Sequence, residues 1–193
     1  MTFGRGKSTV GRILNTLGAR RLIDCDRLVH EAFRPGHPVG KKVKSLIHVP
    51  GTLKRRKIRA EVFSSAGKRR RLEAILHPYV FRRVTSELGK IKAGIVVLEV
   101  PLLFETGFER FCDVTIAVRS GERNIMRRLR PLGVSAYEVQ SRLGAQLTER
   151  EKERRADLSI HNSGSKVLLI RKTRSIWKKL VRRYNQKKKS ERS

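Results

Sequence analysis

The chain has 193 residues, long enough to bury most of its apolar surface as one domain, or one domain with insertions, without disulfide staples. Its 46 Lys and Arg against 17 Asp and Glu leave a formal net charge of +29, a field that draws polyanions without choosing among nucleotides, nucleic acid and anionic lipid. Cys25 and Cys112 lie far apart in no metal-ligand spacing, no apolar run approaches membrane-spanning length, and no apolar stretch follows Met1, so a reduced, cytoplasmic protein is expected.

In chain order, STVGRILNTL (8–17) puts Val10, Ile13, Leu14 and Leu17 on one helical face, and Gly18 ends that helix. RRLID (20–24) reads as a short strand, followed by a helix through Leu28 and Val29 for which Asp26 is the expected N-cap. Pro35, Pro38, Pro50 and Gly51 predict short helices and turns. RRRLEAIL (69–76) opens a second helical stretch, which resumes after Pro78 to about residue 88. GIVVLE (94–99) is a glycine followed by a continuous apolar, β-branched run, the pattern of a parallel strand buried on both faces. VTIAV (114–118) and LSIH (158–161) read as further strands. An Arg-rich helical segment, 121–155, lies between them. A last helix is expected from Ser165 to about Tyr184, with 185–193 a disordered basic tail. Strands alternating with helices predict an α/β fold with a mostly parallel sheet flanked by helices.

Five features bear on chemistry. Gly6, Lys7 and Ser8 fill the second half of a phosphate-binding loop, with Met1 where the first glycine would stand. An amphipathic helix starts at Ser8, so its first N–H groups can cradle a phosphate, Lys7 can reach the β- and γ-phosphates, and the Ser8 hydroxyl can hold Mg²⁺. Asp24 and Asp26 share a face at the end of a strand, where α/β proteins bind ligands, and Asp26 suits either a proton acceptor or a helix cap. Glu99 ends an apolar strand, where an acid can meet Mg²⁺ or simply form a salt bridge. His30 and His77 can contact a phosphate or serve as structural hydrogen bonders. Arg123, Arg127, Arg128, Arg130 and Arg142 suit either a lid closing on phosphates or a solvated basic face.

Taken together, GKSTV (6–10), IDCDRLVHE (23–31), PGHPVG (35–40), LEAILHPYV (72–80), VLEVPLLFETG (97–107), SRLGAQ (141–146) and ADLSIHNSGS (156–165) resemble the dephospho-CoA kinase family in order and in nearly all spacing. The resemblance implies a P-loop kinase with a core over 1–30, 94–120 and 156–184, a helical CoA-binding insertion over 31–93 and a lid over 121–155. It implies transfer of the ATP γ-phosphoryl group to the ribose 3′-hydroxyl of dephospho-CoA, with Mg²⁺. By position, Gly4, Gly6, Lys7, Ser8 and Thr9 match the family's phosphate loop and Asp26 its proposed catalytic base. His77 and Pro78 match an L-H-P element near the acceptor, and Pro101, Leu102, Leu103, Phe104 and Glu105 a loop beside it. Arg142 and Gln146 match lid residues, Asn162 a residue near the adenine pocket, and Ser8 with Glu99 the metal site.

The chain departs from the family pattern at several points. Arg5 replaces a loop serine, and Glu99 stands where Asp is usual. Lys54 and His161 stand where the family has acids. The first strand and the first two loop glycines are expected to be missing, as a start placed too late, or a decayed gene, would leave them. Nucleic-acid association is expected to be non-specific, because the basic runs carry few aromatics and no RNA-recognition motif. The alternatives are a nucleoside monophosphate kinase, or an inactive kinase scaffold that binds nucleic acid.

Overall fold

The computed structural model describes residues 4–47, 66–133 and 147–191. The chain divides into two compact units, Met1–Ile23 with Ala93–Ser193, and Asp24–Lys92.

In the first unit, α1 (Lys7–Thr16) carries Val10 and Leu14 on its buried face. It ends as the apolar spacing and Gly18 predict. Gly18, at φ 120°, donates its N–H to Asn15 O, and Ala19 donates to Leu14 O at 3.1 Å, a paired closure of the last turn. The short strand β1 (Arg21–Asp24) is the hydrogen-bonded neighbour of β2 (Val96–Glu99). β3 (Ile116–Arg119) pairs in parallel with β4 (Leu158–His161), Ile116 opposite Leu158 and Arg119 opposite His161. The parallel pairing expected of an α/β chain is therefore seen here, in two two-stranded sheets among the described residues.

Among the described residues, α5 (Glu122–Leu129) and α6 (Glu149–Arg155) follow β3 in the segment read as Arg-rich and helical. The last helix, α7 (Lys166–Ser190), starts at Ser165, whose hydroxyl accepts from Leu168 N–H at 3.3 Å. It lays Leu169, Ile176 and Leu180 onto Val10, Leu14 and Ile160, and this cluster is the core of the unit. The sequence placed 185–193 in a disordered tail, whereas the helix continues to Ser190. Gln and Lys are good helix formers, and extending an established helix costs far less than nucleating one. Lys187 also pairs with Asp113 at 2.6 Å.

The second unit is helical: α2 (Cys25–Ala32), α3 (Pro38–Ile47) and α4 (Ala66–Gly89). Val43 is fully buried among Phe33, Val39, Leu46, Leu72 and Ile75. Arg83 on α4 pairs with Glu31 on α2 at 3.2 Å. Among the described residues α2 packs on α3 and α4, and this unit spans Asp24–Lys92, where the sequence reads a helical insertion over 31–93. α4 runs through Pro78, which removes one backbone donor without ending the helix.

Candidate active site

Gly6 is the N-cap of α1, in the left-handed region at φ 94°. The first turn of α1 holds no acidic residue and receives no side-chain cap, so its positive end is available to an external anion. A side chain at Gly6 would be strained at that φ, and its Cβ would collide with Asn162 Nδ2. Only glycine satisfies both demands.

Lys7 and Ser8 follow at once. Ser8 Oγ donates to Glu99 Oε1 at 2.5 Å, and Lys7 Nζ donates to Pro101 O at 3.5 Å. Glu99 is 7 % exposed. Thus the end of β2 brings a buried carboxylate against the hydroxyl of the first helical turn. Two hard oxygen donors beside an anion-binding helix start suit a divalent cation completed by phosphate and water oxygens. Among the described residues no cluster of three or more His, Cys, Asp and Glu forms a self-contained metal site.

After β2, residues 101–107 make tight turns. Leu102 O accepts from Thr106 N–H at 3.0 Å and from its hydroxyl at 2.8 Å, which fixes the PLLFE segment. Pro101, Leu103 and Phe104 line a cleft together with Lys7, Glu149 and Lys152. Glu105 is held by Lys152 at 2.7 Å and by Leu147 N–H at 3.1 Å.

The phosphate loop is also tied from its far side. Arg5, which replaces the usual serine, is buried and pairs through Nε with Glu149 of α6. Glu149 Oε2 also accepts from Ser120 N–H at 3.1 Å. Asn162, just past β4, is buried and donates Nδ2 to Arg5 O at 2.8 Å. The first unit therefore gathers Gly4, Gly6, Lys7, Ser8, Glu99, the PLLFE residues and Asn162 into one region, with Thr9 in the same turn of α1.

Asp24, Asp26, His30, His77 and Pro78 belong to the second unit. Asp24, not Asp26, caps α2: its Oδ1 accepts from Asp26 N–H at 2.9 Å and from Arg27 N–H at 3.3 Å. Asp26 lies one position inside the helix, so the capping role weighed for it has another occupant. His77 is exposed on α4. Two residues on, Tyr79 is 7 % exposed and its hydroxyl has no hydrogen-bond partner among the described residues. Its ring meets His37 edge-on at 5.3 Å. Arg142 and Gln146 lie outside the described residues.

A model of the dephospho-CoA kinase family matches residues 2–167. The chain belongs to that family. A dephospho-CoA kinase of Symbiobacterium thermophilum is 37% identical over 169 residues, covering 83% of this chain and 70% of that protein. One from Corynebacterium diphtheriae is 32% identical over 187 residues, covering 92% and 93%. A crystal structure of a Thermus thermophilus protein superposes with a TM-score of 0.79 at 35% identity, covering 93% of this chain and 94% of that one. A dephospho-CoA kinase from Campylobacter jejuni, at a TM-score of 0.64 and 23% identity over 91% of each chain, shares the fold. No helix among the described residues is long and apolar enough to cross a membrane.

Sequence reasoning about the dephospho-CoA kinase motifs missed two ion pairs, Arg5 with Glu149 and Lys152 with Glu105. Arg5 and Glu149 are far apart in the chain, and nothing local marks Arg5 as buried or Glu149 as its partner. The one available signal was T-E-R-E (148–151), a capping box that fixes the start of α6.

Proposed function

We propose that this dephospho-CoA kinase family member transfers the γ-phosphoryl group of ATP to the ribose 3′-hydroxyl of dephospho-CoA, giving CoA and ADP. The observation that supports this best is the Ser8–Glu99 pair: a buried strand-end carboxylate set against the first turn of an uncapped, glycine-led helix. In this reading Gly4, Gly6, Lys7, Ser8 and Thr9 bind the triphosphate, joined on the ATP side by Arg142 and Asn162. Ser8 and Glu99 would hold Mg²⁺, which supplies charge neutralisation at the phosphates when bound.

Asp26 is the general base. The 3′-hydroxyl oxygen attacks the γ-phosphorus, its proton passes to the Asp26 carboxylate, and the bond between the γ-phosphorus and the bridging oxygen breaks to release ADP. Lys7 stabilises negative charge developing on the transferring group. His77, Pro101, Leu102, Leu103 and Glu105 serve the acceptor, and the orphan Tyr79 hydroxyl, close to His77 in sequence, is a further donor for it. The reading places the enzyme in the cytoplasm, with ATP and dephospho-CoA as its partners and any nucleic-acid association non-specific.

A comparison of acceptors tests the assignment. With ATP and Mg²⁺, kcat/KM should favour dephospho-CoA over nucleoside monophosphates by several orders of magnitude, because a site built to hydrogen-bond one acceptor leaves its polar groups unpaired with another. A preference for a nucleoside monophosphate would transfer the chain to that other kinase class.

A further inference from the structure

A phosphate-binding loop turns its N–H groups toward the anion, so its carbonyls face away and need donors of their own. In this chain two side chains supply them. Arg128, on α5, commits all four of its terminal N–H groups. Its Nη1 donates to Gly4 O at 2.8 Å and to Ser120 Oγ at 3.2 Å. Its Nη2 donates to Asn162 O at 3.2 Å and to Asn162 Oδ1 at 3.1 Å. Asn162 in turn donates Nδ2 to Arg5 O at 2.8 Å. Ser120 closes the network, donating to Asn162 O at 2.8 Å.

The packing agrees with the hydrogen bonds. A Cβ at Gly4 would lie 3.1 Å from Ile125 and 3.2 Å from Leu129, so α5 presses directly on the loop at the carbonyl that Arg128 holds. Ser120 is 1 % and Asn162 5 % exposed, so the acceptor end of the network is shielded from competing water. With its four terminal N–H groups engaged, Arg128 cannot also fork onto a phosphate. That separates it from the lid arginines anticipated in the same segment.

We infer that Arg128 and Asn162 are positioning residues for the triphosphate donor, holding the Gly4 and Arg5 carbonyls so that the loop N–H groups are preset for phosphate. The inference rests on the proposed kinase reading only in taking residues 4–8 as the ATP loop. Both residues touch the loop, and through that contact they remove part of the cost of ordering it on binding.

The test uses Arg128→Lys, Arg128→Ala and Asn162→Asp in the full chain. It reads backbone hydrogen exchange over residues 4–8, ATP affinity by calorimetry without acceptor, and KM for dephospho-CoA. Each variant should speed exchange in the loop and weaken ATP binding about 10- to 100-fold, as small misplacements of positioning groups do, while KM for dephospho-CoA stays unchanged. Lysine should not rescue, because one ammonium cannot span carbonyls on both sides as the planar guanidinium does. Asn162→Asp keeps the acceptor for Arg128 and loses only the donor to Arg5 O, so it carries the test if the Arg128 variants fold poorly.

Three results would overturn the inference: unshifted ATP affinity with unchanged loop exchange, full rescue by lysine, or equal losses for ATP and acceptor together with a lower Tm. The last would mark a merely structural role. Failure of the kinase reading looks different. Wild-type protein that binds ATP through the Arg128-dependent loop yet never phosphorylates dephospho-CoA contradicts that reading and leaves the clamp standing.

Discussion

Asp26 shows what a single residue can and cannot disclose. An acid between a strand and a helix fits a cap as well as a catalytic base, and spacing does not separate the two. The structure gives the cap to Asp24, which leaves the base as the proposal for Asp26. Converting Asp26 to Asn should therefore leave Tm nearly unchanged and lower kcat about a hundredfold or more, the usual worth of a general base, with little change in KM for ATP. A drop in Tm of several degrees without a fall in kcat would return Asp26 to a structural role. Lys7→Ala should also reduce kcat at least a hundredfold, because it deletes a donor aimed at developing charge. Retained turnover in that variant would disconnect the loop from the chemistry. Glu99 and Ser8 were legible one by one, as a strand-end acid and a loop hydroxyl. Only the family resemblance put them at one site; no local pattern joins residues 91 positions apart, and their direct 2.5 Å hydrogen bond is a finding of the structure.

At the scale of elements, legibility followed local pattern. β4 appears over the residues that LSIH predicts, and α1 ends at the glycine that its apolar spacing requires. The end of α7 was misread, since a polar, charged segment reads the same whether it is disordered or extends a helix already anchored by Leu169, Ile176 and Leu180. α6 was visible as a helix but not as a fastener. From its seven residues Glu149 ties Arg5, Lys152 ties Glu105, and Glu153 ties Arg119.

The approach to β4 is fixed in a similar way. Asp157 Oδ2 accepts from the Thr115 hydroxyl and from its N–H, both at 2.7 Å. Those two bonds, the hydroxyl first, hold the Asp157 carboxyl below its ordinary value, with a smaller pull from Arg183. A depressed carboxylate stabilises the fold above its unfolded pKa of about 3.9, and the contribution disappears as pH falls through the lower folded value. Asp157→Asn should therefore lower Tm at pH 7, and the gap to wild type should narrow below about pH 4 as the wild-type carboxyl gains its own proton. An equal gap at neutral and acid pH would contradict that cause.

For the whole molecule, the net charge of +29 acts on rates more than on fold. α7 contains no acidic residue along its full length, and it carries much of the first unit's positive charge. Both proposed substrates are polyanions. Their kcat/KM should fall as ionic strength rises from about 0.05 to 0.5 M, through loss of steered encounter, while kcat changes little. A kcat/KM indifferent to salt would show that the charge serves something other than capture of substrates.

The family was readable across the whole chain because its motifs fall in order along it. The connections among those motifs were not readable, because each is a tertiary contact between residues with no local mark. The central claim is that this assembly moves a phosphoryl group from ATP to a ribose hydroxyl. Phosphorus NMR of a reaction holding ATP, Mg²⁺ and dephospho-CoA tests it most directly. The account predicts a new 3′-phosphomonoester resonance rising in equal amount with ADP. ADP accompanied only by inorganic phosphate, or no turnover by folded protein that binds both substrates, would contradict it.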